Sequence, residues 1–481
     1  MSAAFLASAL IQFVLGLVVA WILGAAEFGA YALALAAAIL IQTLGFEWIR
    51  LAATRFHHAG DGDRLARRLG RMLATTAVLL ACLAIGLAML DLPRRALFAL
   101  APLVAIVASF ADFRGALLRA EFDQRRYAMF MALRNGLAMA ILPVAAGWFG
   151  TAEAALGAYL VAVIGACAAM EVSFAARTTA AGPGKAPPVS PEVSGDPPEW
   201  IALLRYSGPI VVTNGLYLGL FFGLRSAVAL TGGLAAAGQF SLALDFTLKL
   251  FTTIGTALDL VLFQRAVRDQ REGGDGAGSR QLTANLELVV SVIVPMAIGL
   301  FLVIPGVESL LVASEFRGVF SAFVIGLLPG IALYAVVQYG LHPFFQLQRQ
   351  TGVLVVAGFS AGLAAMTGFL VFAGAPAFTG VGRGLPVAIG LTLVVSMGIA
   401  VLVLVFRAGR AAIPAPGFLA RLGLATLGLI AVVSGLKAIG GGLAFDIAAI
   451  VLGALAYGGG AWGLDLGGIR ALARARWRSD R

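Results

Sequence analysis

Apolar runs of about 20 residues, the length a bilayer crossing needs, recur from one end of the chain to the other. They fall at 3–23, 30–50, 70–90, 96–118, 130–150 and 154–176, and, after a long polar stretch, at 207–231, 238–263, 285–306, 321–345, 352–374, 386–406, 421–440 and 443–463. Each is continuous, without the alternating ten-residue segments of a membrane barrel. The pattern predicts an all-α polytopic membrane protein with about fourteen transmembrane helices. The first run lacks a basic n-region and leads straight into the next span, so it reads as a retained helix, with a cleaved signal peptide as the alternative.

Composition agrees: 60% of the 481 residues are hydrophobic and 12% charged, and the mean hydropathy is +0.96. The net charge of +10 acquires meaning from its placement. Of the 34 Lys and Arg, only Arg94, Arg95, Arg317, Arg383 and Lys437 fall on one side of the predicted topology, and Arg225 and Lys249 fall inside spans. All the others lie on the opposite side, which the positive-inside rule makes cytoplasmic, together with both termini. The basicity is topological and does not call for nucleic acid. Cys82 and Cys167 both lie within apolar runs and imply no disulfide framework.

The polar stretch 177–205, rich in Pro, Gly and Ser, reads as a cytoplasmic linker. It separates six spans (1–176) from six more (206–408), followed by a pair (409–463) and a basic tail (464–481). An internal repeat supports this division: "LGAAEFGAYALA" from Leu23 resembles "GGLAAAGQFSLA" from Gly232 at a constant offset of 209. Gly24 aligns with Gly233, Gly29 with Gly238, and Tyr31 with Phe240. Both copies sit between the first and second helices of their half, where glycine permits a tight turn and close backbone approach. Both run the same way through the membrane, as expected of parallel repeats in a rocking transporter.

Together with "RGALLRAEFDQRRYAMFMALRNGLAMAILPV" at 114–144 and "LRSAVALTGGLAAAGQFSLA" at 224–243, these hairpins resemble the polysaccharide (O-antigen type) flippases. That family lies in the superfamily that also holds multidrug/ion antiporters and lipid II flippases. The resemblance implies two pseudo-symmetric six-helix bundles around a central cavity, plus two C-terminal helices. Where the family often carries an acid–base pair on the seventh helix, this chain has Leu224 in place of the acid and keeps the base as Arg225.

Motifs for chemistry are sparse. No G-x-x-x-x-G-K-[ST] phosphate loop occurs; "GGDGAGS" at 273–279 and "GVGRG" at 380–384 lack its spacing. His57 and His58 have no further ligand at metal-site spacing and read as a solvated loop. His342, before Pro343, reads as structural, with a proton relay as the alternative. The predicted extracytoplasmic loops are too short for the soluble face a glycan polymerase or ligase uses, and an enzyme is not expected.

Charges inside spans are the informative exceptions, since Arg, Lys or Asp at a helix centre costs about 2.5–3.5 kcal/mol on insertion scales. Lys249 is nearly central in its span, with Asp245 one turn before it. Arg225 and Asp245 are equidistant from position 235, the hairpin midpoint, which predicts similar depth. Arg225, Asp245 and Lys249 thus form a candidate net-positive cluster, read either as cavity lining or as a satisfied pair between helices. Glu47 and Arg50 share a face near the predicted cytoplasmic end of the second span, as membrane anchor or vestibule. Arg114 and Arg134 read as anchors. The predicted substrate-binding residues are Arg225, Lys249, Asp245, Arg50 and Glu47.

The cargo implied by the resemblance is an undecaprenyl-diphosphate-linked oligosaccharide, whose phosphates suit Arg and Lys donors. Asn214, Thr213, Gln239, Gln264 and Gln338 are candidate partners for sugar hydroxyls. The expectation is a flippase of the bacterial cytoplasmic membrane, serving lipopolysaccharide or exopolysaccharide biosynthesis by alternating access. It needs no cofactor beyond a coupling proton or sodium ion, and membrane lipids, a polysaccharide polymerase and other assembly proteins are its candidate partners. The competing readings are a multidrug/cation antiporter, which predicts acidic residues dominating the cavity, and a membrane glycan polymerase or ligase. The tail "GGIRALARARWRSDR" reads as a segment lying on anionic lipid, with a solvated tail as the alternative.

Overall fold

The computed structural model describes residues 2–56, 62–91, 94–120, 123–180, 200–373 and 384–470. The centre of the 177–205 linker, His57 and His58, most of the "GVGRG" stretch and residues 471–481 of the tail lie outside them. Among the described residues the helices are α1 (Ser2–Phe56), α2 (Gly62–Met89), α3 (Arg95–Ala120), α4 (Gln124–Phe149), α5 (Ala152–Ala180), α6 (Trp200–Leu311), α7 (Val319–Val336), α8 (His342–Leu347), α9 (Gly352–Ala373), α10 (Gly384–Ala408), α11 (Pro416–Ile439) and α12 (Leu443–Gly463).

Eleven of the helices in the described residues are long and apolar enough to cross a membrane, but two of them cannot be straight. The 105-residue apolar stretch of α6 would span about 160 Å at 1.5 Å per residue, several times a hydrocarbon core of about 30 Å. Two glycines with positive φ, Gly233 (78°) and Gly274 (72°), divide it. Asn285 Nδ2 donates to the Leu262 carbonyl at 2.8 Å, 23 residues back, so the chain has reversed between them. α1 breaks in the same way at Gly24, with φ 71° and ψ 175°. With α1 long enough to cross twice and α6 three times, the described residues hold fourteen candidate passes, the number the apolar pattern predicts. The protein is a multi-pass, all-helical membrane protein.

Two compact units, Met1–Ser241 and Leu242–Arg481, divide the chain. In the first, Phe46, Ile49, Ala52 and Ala53 of α1 pack against Leu69, Leu73 and Ala77 of α2 and Phe113 and Leu117 of α3. Ala111 and Leu118 of α3 pack with Phe130 of α4 and Val163, Ala166 and Met170 of α5. Glu27, just past the Gly24 turn, ties that end of the unit together. It accepts from Arg94 Nη1 at 3.1 Å and from the Ala152 amide, at the start of α5, at 2.9 Å. Its carboxylate holds the Arg94 guanidinium above its ordinary pKa.

In the second unit, α7 and α10 approach to backbone contact: a Cβ on Gly326 would meet the Pro386 carbonyl at 2.6 Å, and one on Gly390 the Gly326 carbonyl at 2.5 Å. Small residues supply this closeness where no hydrophobic force separates helix from lipid. Glu308 is buried and caps α7, accepting from the Gly318 amide at 2.7 Å, the Ser321 amide at 3.1 Å and the Ser321 hydroxyl at 2.7 Å. Those bonds supply an acceptor for amides that a helix start leaves without intrahelical partners.

Candidate functional site

The two repeat hairpins meet in the first unit through their glycines. A Cβ on Gly29 would collide with the Leu234 carbonyl, and a Cβ on Gly238 with the Ala25 carbonyl. Residues 25 and 29 correspond to 234 and 238 at the repeat offset, so each contact is the symmetry image of the other. Gly24 and Gly233, the turns before them, both have positive φ. Only residues without a Cβ allow backbones this close, as Cα–H···O contacts require.

Polar side chains converge deeper in the same unit. Glu47 and Arg50 form an intrahelical ion pair, with Arg50 Nε donating to Glu47 Oε2 at 2.8 Å and a second contact from Arg50 Nη2 to Glu47 Oε1. Their neighbours Phe46 and Ile49 are buried on the packed face, which turns the pair toward a half-exposed one. Beside it lies a network that the sequence reading left out. Asp112 of α3 accepts from Arg134 Nη1 of α4 at 2.7 Å and from Gln42 Nε2 of α1 at 2.6 Å. Arg134 Nη2 also donates to the Tyr159 hydroxyl of α5 at 3.3 Å. Next along α4, Asn135 is 4% exposed and accepts from Gln12 Nε2 at 3.3 Å, while its own Nδ2 meets no acceptor among the described residues. Arg114, expected to be an anchor, pairs with Glu171 of α5 beside a cavity of about 60 Å³ that Cys167 also lines.

Side chains of four helices, α1, α3, α4 and α5, thus meet in the network around Asp112 and Arg134. A signal was present in the sequence: both lie eleven residues from Asp123, the N-cap of α4, so an antiparallel hairpin sets them at equal depth.

Arg225 lies on α6 between residue 200 and Gly233, in the first unit, and is 7% exposed. Asp245 and Lys249 lie one turn apart beyond Gly233, in the second unit, both half-buried. Of the candidate sugar partners, Thr213 is buried and donates to the Pro209 carbonyl at 2.7 Å.

The second unit also carries an apolar groove of about 570 Å³. Its walls come from α6 on both sides of Gly274 (Phe246, Ile254, Met296, Val303) and from α11 and α12 (Val433, Ile450). Polar contacts join the same helices. The hydroxyl of Tyr457, which lines the groove, donates to the Ser291 carbonyl. Lys437 Nζ of α11 donates to the Leu302 carbonyl of α6 at 2.5 Å and lies 3.9 Å from Asp446 Oδ1 of α12.

The fold is that of the MOP superfamily transporters. A structure of the lipid II flippase MurJ in an inward closed conformation superposes with a TM-score of 0.61 at 13% identity, covering 96% of this chain and 98% of its own. An inward-facing multidrug resistance MATE family transporter of the same superfamily gives 0.57 at 16% identity, covering 85% and 99%. A MOP superfamily transporter from Pyrococcus furiosus gives 0.57 at 16%, covering 85% and 95%. No protein-family model matches the sequence, and no curated protein matches it significantly.

Proposed function

We propose that this chain is a flippase that carries a polyprenyl-diphosphate-linked oligosaccharide across the bacterial cytoplasmic membrane by alternating access, with both termini in the cytoplasm. The carrying observation is the apolar groove that α11 and α12 build against α6. A membrane-depth groove of this kind suits a hydrocarbon tail, whose burial is favourable in proportion to its apolar area. The lipid II flippase covers 96% of the chain and the multidrug transporter 85%, a shortfall about the size of the stretch after α10.

The headgroup would be met by cations. Arg225 offers a planar fork matched to phosphate, and Lys249 a compact charge four residues from Asp245. The functional halves would be the six-helix segments 1–176 and 206–408, joined by the 177–205 linker. Glu47 and Arg50 belong to the cytoplasmic approach in this reading. A polysaccharide polymerase on the far side, consuming the delivered lipid, is the natural partner.

Export of surface glycan tests the reading in a strain whose own copy is deleted. Arg225→Ala and Lys249→Ala should each lower export severely at normal membrane abundance. Ile450→Trp, which fills the groove from its exposed side, should lower export of the lipid-linked cargo as well. Full export in all three variants would remove both the cations and the groove from the mechanism.

A further inference from the structure

Gln12 and Gln42 lie on α1, on either side of the turn at Gly24. At the repeat offset of 209 they correspond to Phe221 and Phe251, which are 5% and 0% exposed. The second repeat thus fills the same two places with buried apolar rings, and the hairpin does not need amides there to fold. Polar side chains inside a span carry a desolvation cost. Two amides in the first repeat therefore call for a reason other than packing.

The groups they meet supply one. Gln42 donates to Asp112, which also holds Arg134, and Arg134 reaches the Tyr159 hydroxyl. Gln12 donates to Asn135 Oδ1 at 3.3 Å. Asn135 follows Arg134 on α4, so the two sets of contacts make one polar strip within the first unit. Asn135 is buried, and its Nδ2 finds no acceptor among the described residues. A buried donor left in this state costs about 1–3 kcal/mol, which a bound acceptor would recover. The strip is reachable: Gln12 is exposed, and the Asp112 side chain keeps 34% of its surface open.

Charge selects the kind of ligand. Asp112 balances Arg134, and Arg50, within electrostatic reach of Asp112, is already paired with Glu47. A phosphate approaching the strip meets as many carboxylates as guanidinium groups, and like charges brought together repel it. The groups left to recognise a ligand are amides with a donor and an acceptor side by side, and carboxylate oxygens that accept. Adjacent hydroxyls on a sugar ring offer the matching pairs of donors and acceptors without any charge. A site built to hydrogen-bond such hydroxyls also discriminates strongly against ligands that lack them.

We propose that Gln12, Gln42, Asp112 and Asn135 form a subsite for a neutral saccharide and read hydroxyls of the carried glycan, while Arg134 holds Asp112 in place. That the ligand is a carried glycan rests on the flippase reading. The test uses the full-length protein in nanodiscs. The probe is the oligosaccharide that mild acid releases from the polyprenyl-diphosphate pool of the cells that make the protein, so it carries neither lipid nor phosphate. Saturation-transfer NMR should detect its binding to the wild type. Asn135→Leu, Gln12→Met and Gln42→Met should each weaken binding about tenfold, the size of one lost hydrogen bond. Asn135→Leu removes a donor without a partner, so its unfolding midpoint in sodium dodecyl sulfate should not fall. A lowered midpoint would show that the amide serves packing and would overturn the assignment. Undiminished binding in all three variants overturns it too, as does absence of binding to wild-type protein that flips the lipid-linked cargo in vesicles. Absence of both binding and flipping would strike the flippase reading, and the subsite with it.

Discussion

Gly238→Val will separate the two repeat hairpins and stop transport, whereas Gly219→Ala and Gly223→Ala will do neither. At 238 the added carbon collides with the Ala25 carbonyl and would lie 3.0 Å from the Gly29 amide nitrogen. Both are main-chain atoms that no rotamer change can move. The symmetric substitution Gly29→Val meets the Leu234 carbonyl in the same way, so it should behave identically. Overpacking in a close-packed interior costs about 1–3 kcal/mol, and here a helix must shift to relieve it. Nothing lies within 4 Å of a Cβ on Gly219 or Gly223, which makes them fair controls. Oxidative cross-linking of Ala25→Cys with Leu234→Cys, in a background lacking Cys82 and Cys167, reads the separation directly. A cross-link that survives Gly238→Val would show that the crossing tolerates a side chain.

Asp112→Ala should destabilise the first unit by about 3 kcal/mol, the lower part of the range for breaking a buried pair by removing one partner. The lower part applies because the Asp112 side chain is 34% exposed, while that of Arg134 is 14%. The variant strands the Arg134 guanidinium, left only with Tyr159, and frees the Gln42 amide. Removing both charges, in Asp112→Ala/Arg134→Ala, should cost less than the single change, because the penalty comes from the unpaired ion and not from the missing bond. Unfolding titrated with sodium dodecyl sulfate in mixed micelles measures all three. A double variant as unstable as the sum of the singles would show that the pair does not act as a unit.

Most of the architecture could be read from the chain because membrane helices obey few rules. Apolar length gave the fourteen candidate passes, and the Gly24/Gly233 repeat marked turns that the structure carries out with the same positive φ. The close crossing at Gly29 and Gly238 was foreshadowed only as glycine's permission to approach. That the two glycines meet each other depends on packing between segments 209 residues apart. Buried charge was harder to read. Arg134 reads as an anchor when its own span alone is considered; Asp112, eleven residues on the other side of the Asp123 cap, supplies the counter-ion that only the folded hairpin brings to it. Arg114 likewise looked interfacial until Glu171, 57 residues on, supplied its counter-ion. The groove is illegible in sequence, since its lining residues are as apolar as those facing lipid.

Reconstitution tests the central claim most directly. The purified protein is placed in liposomes with a fluorescent polyprenyl-diphosphate oligosaccharide in both leaflets, and a membrane-impermeant reductant is added outside. The flippase account predicts that the inner-leaflet pool becomes reducible in vesicles holding the protein, and much more slowly with Arg225→Ala or Lys249→Ala. An inner pool that stays protected, in vesicles that expel a cationic dye against an ion gradient, would contradict the account and favour a multidrug antiporter.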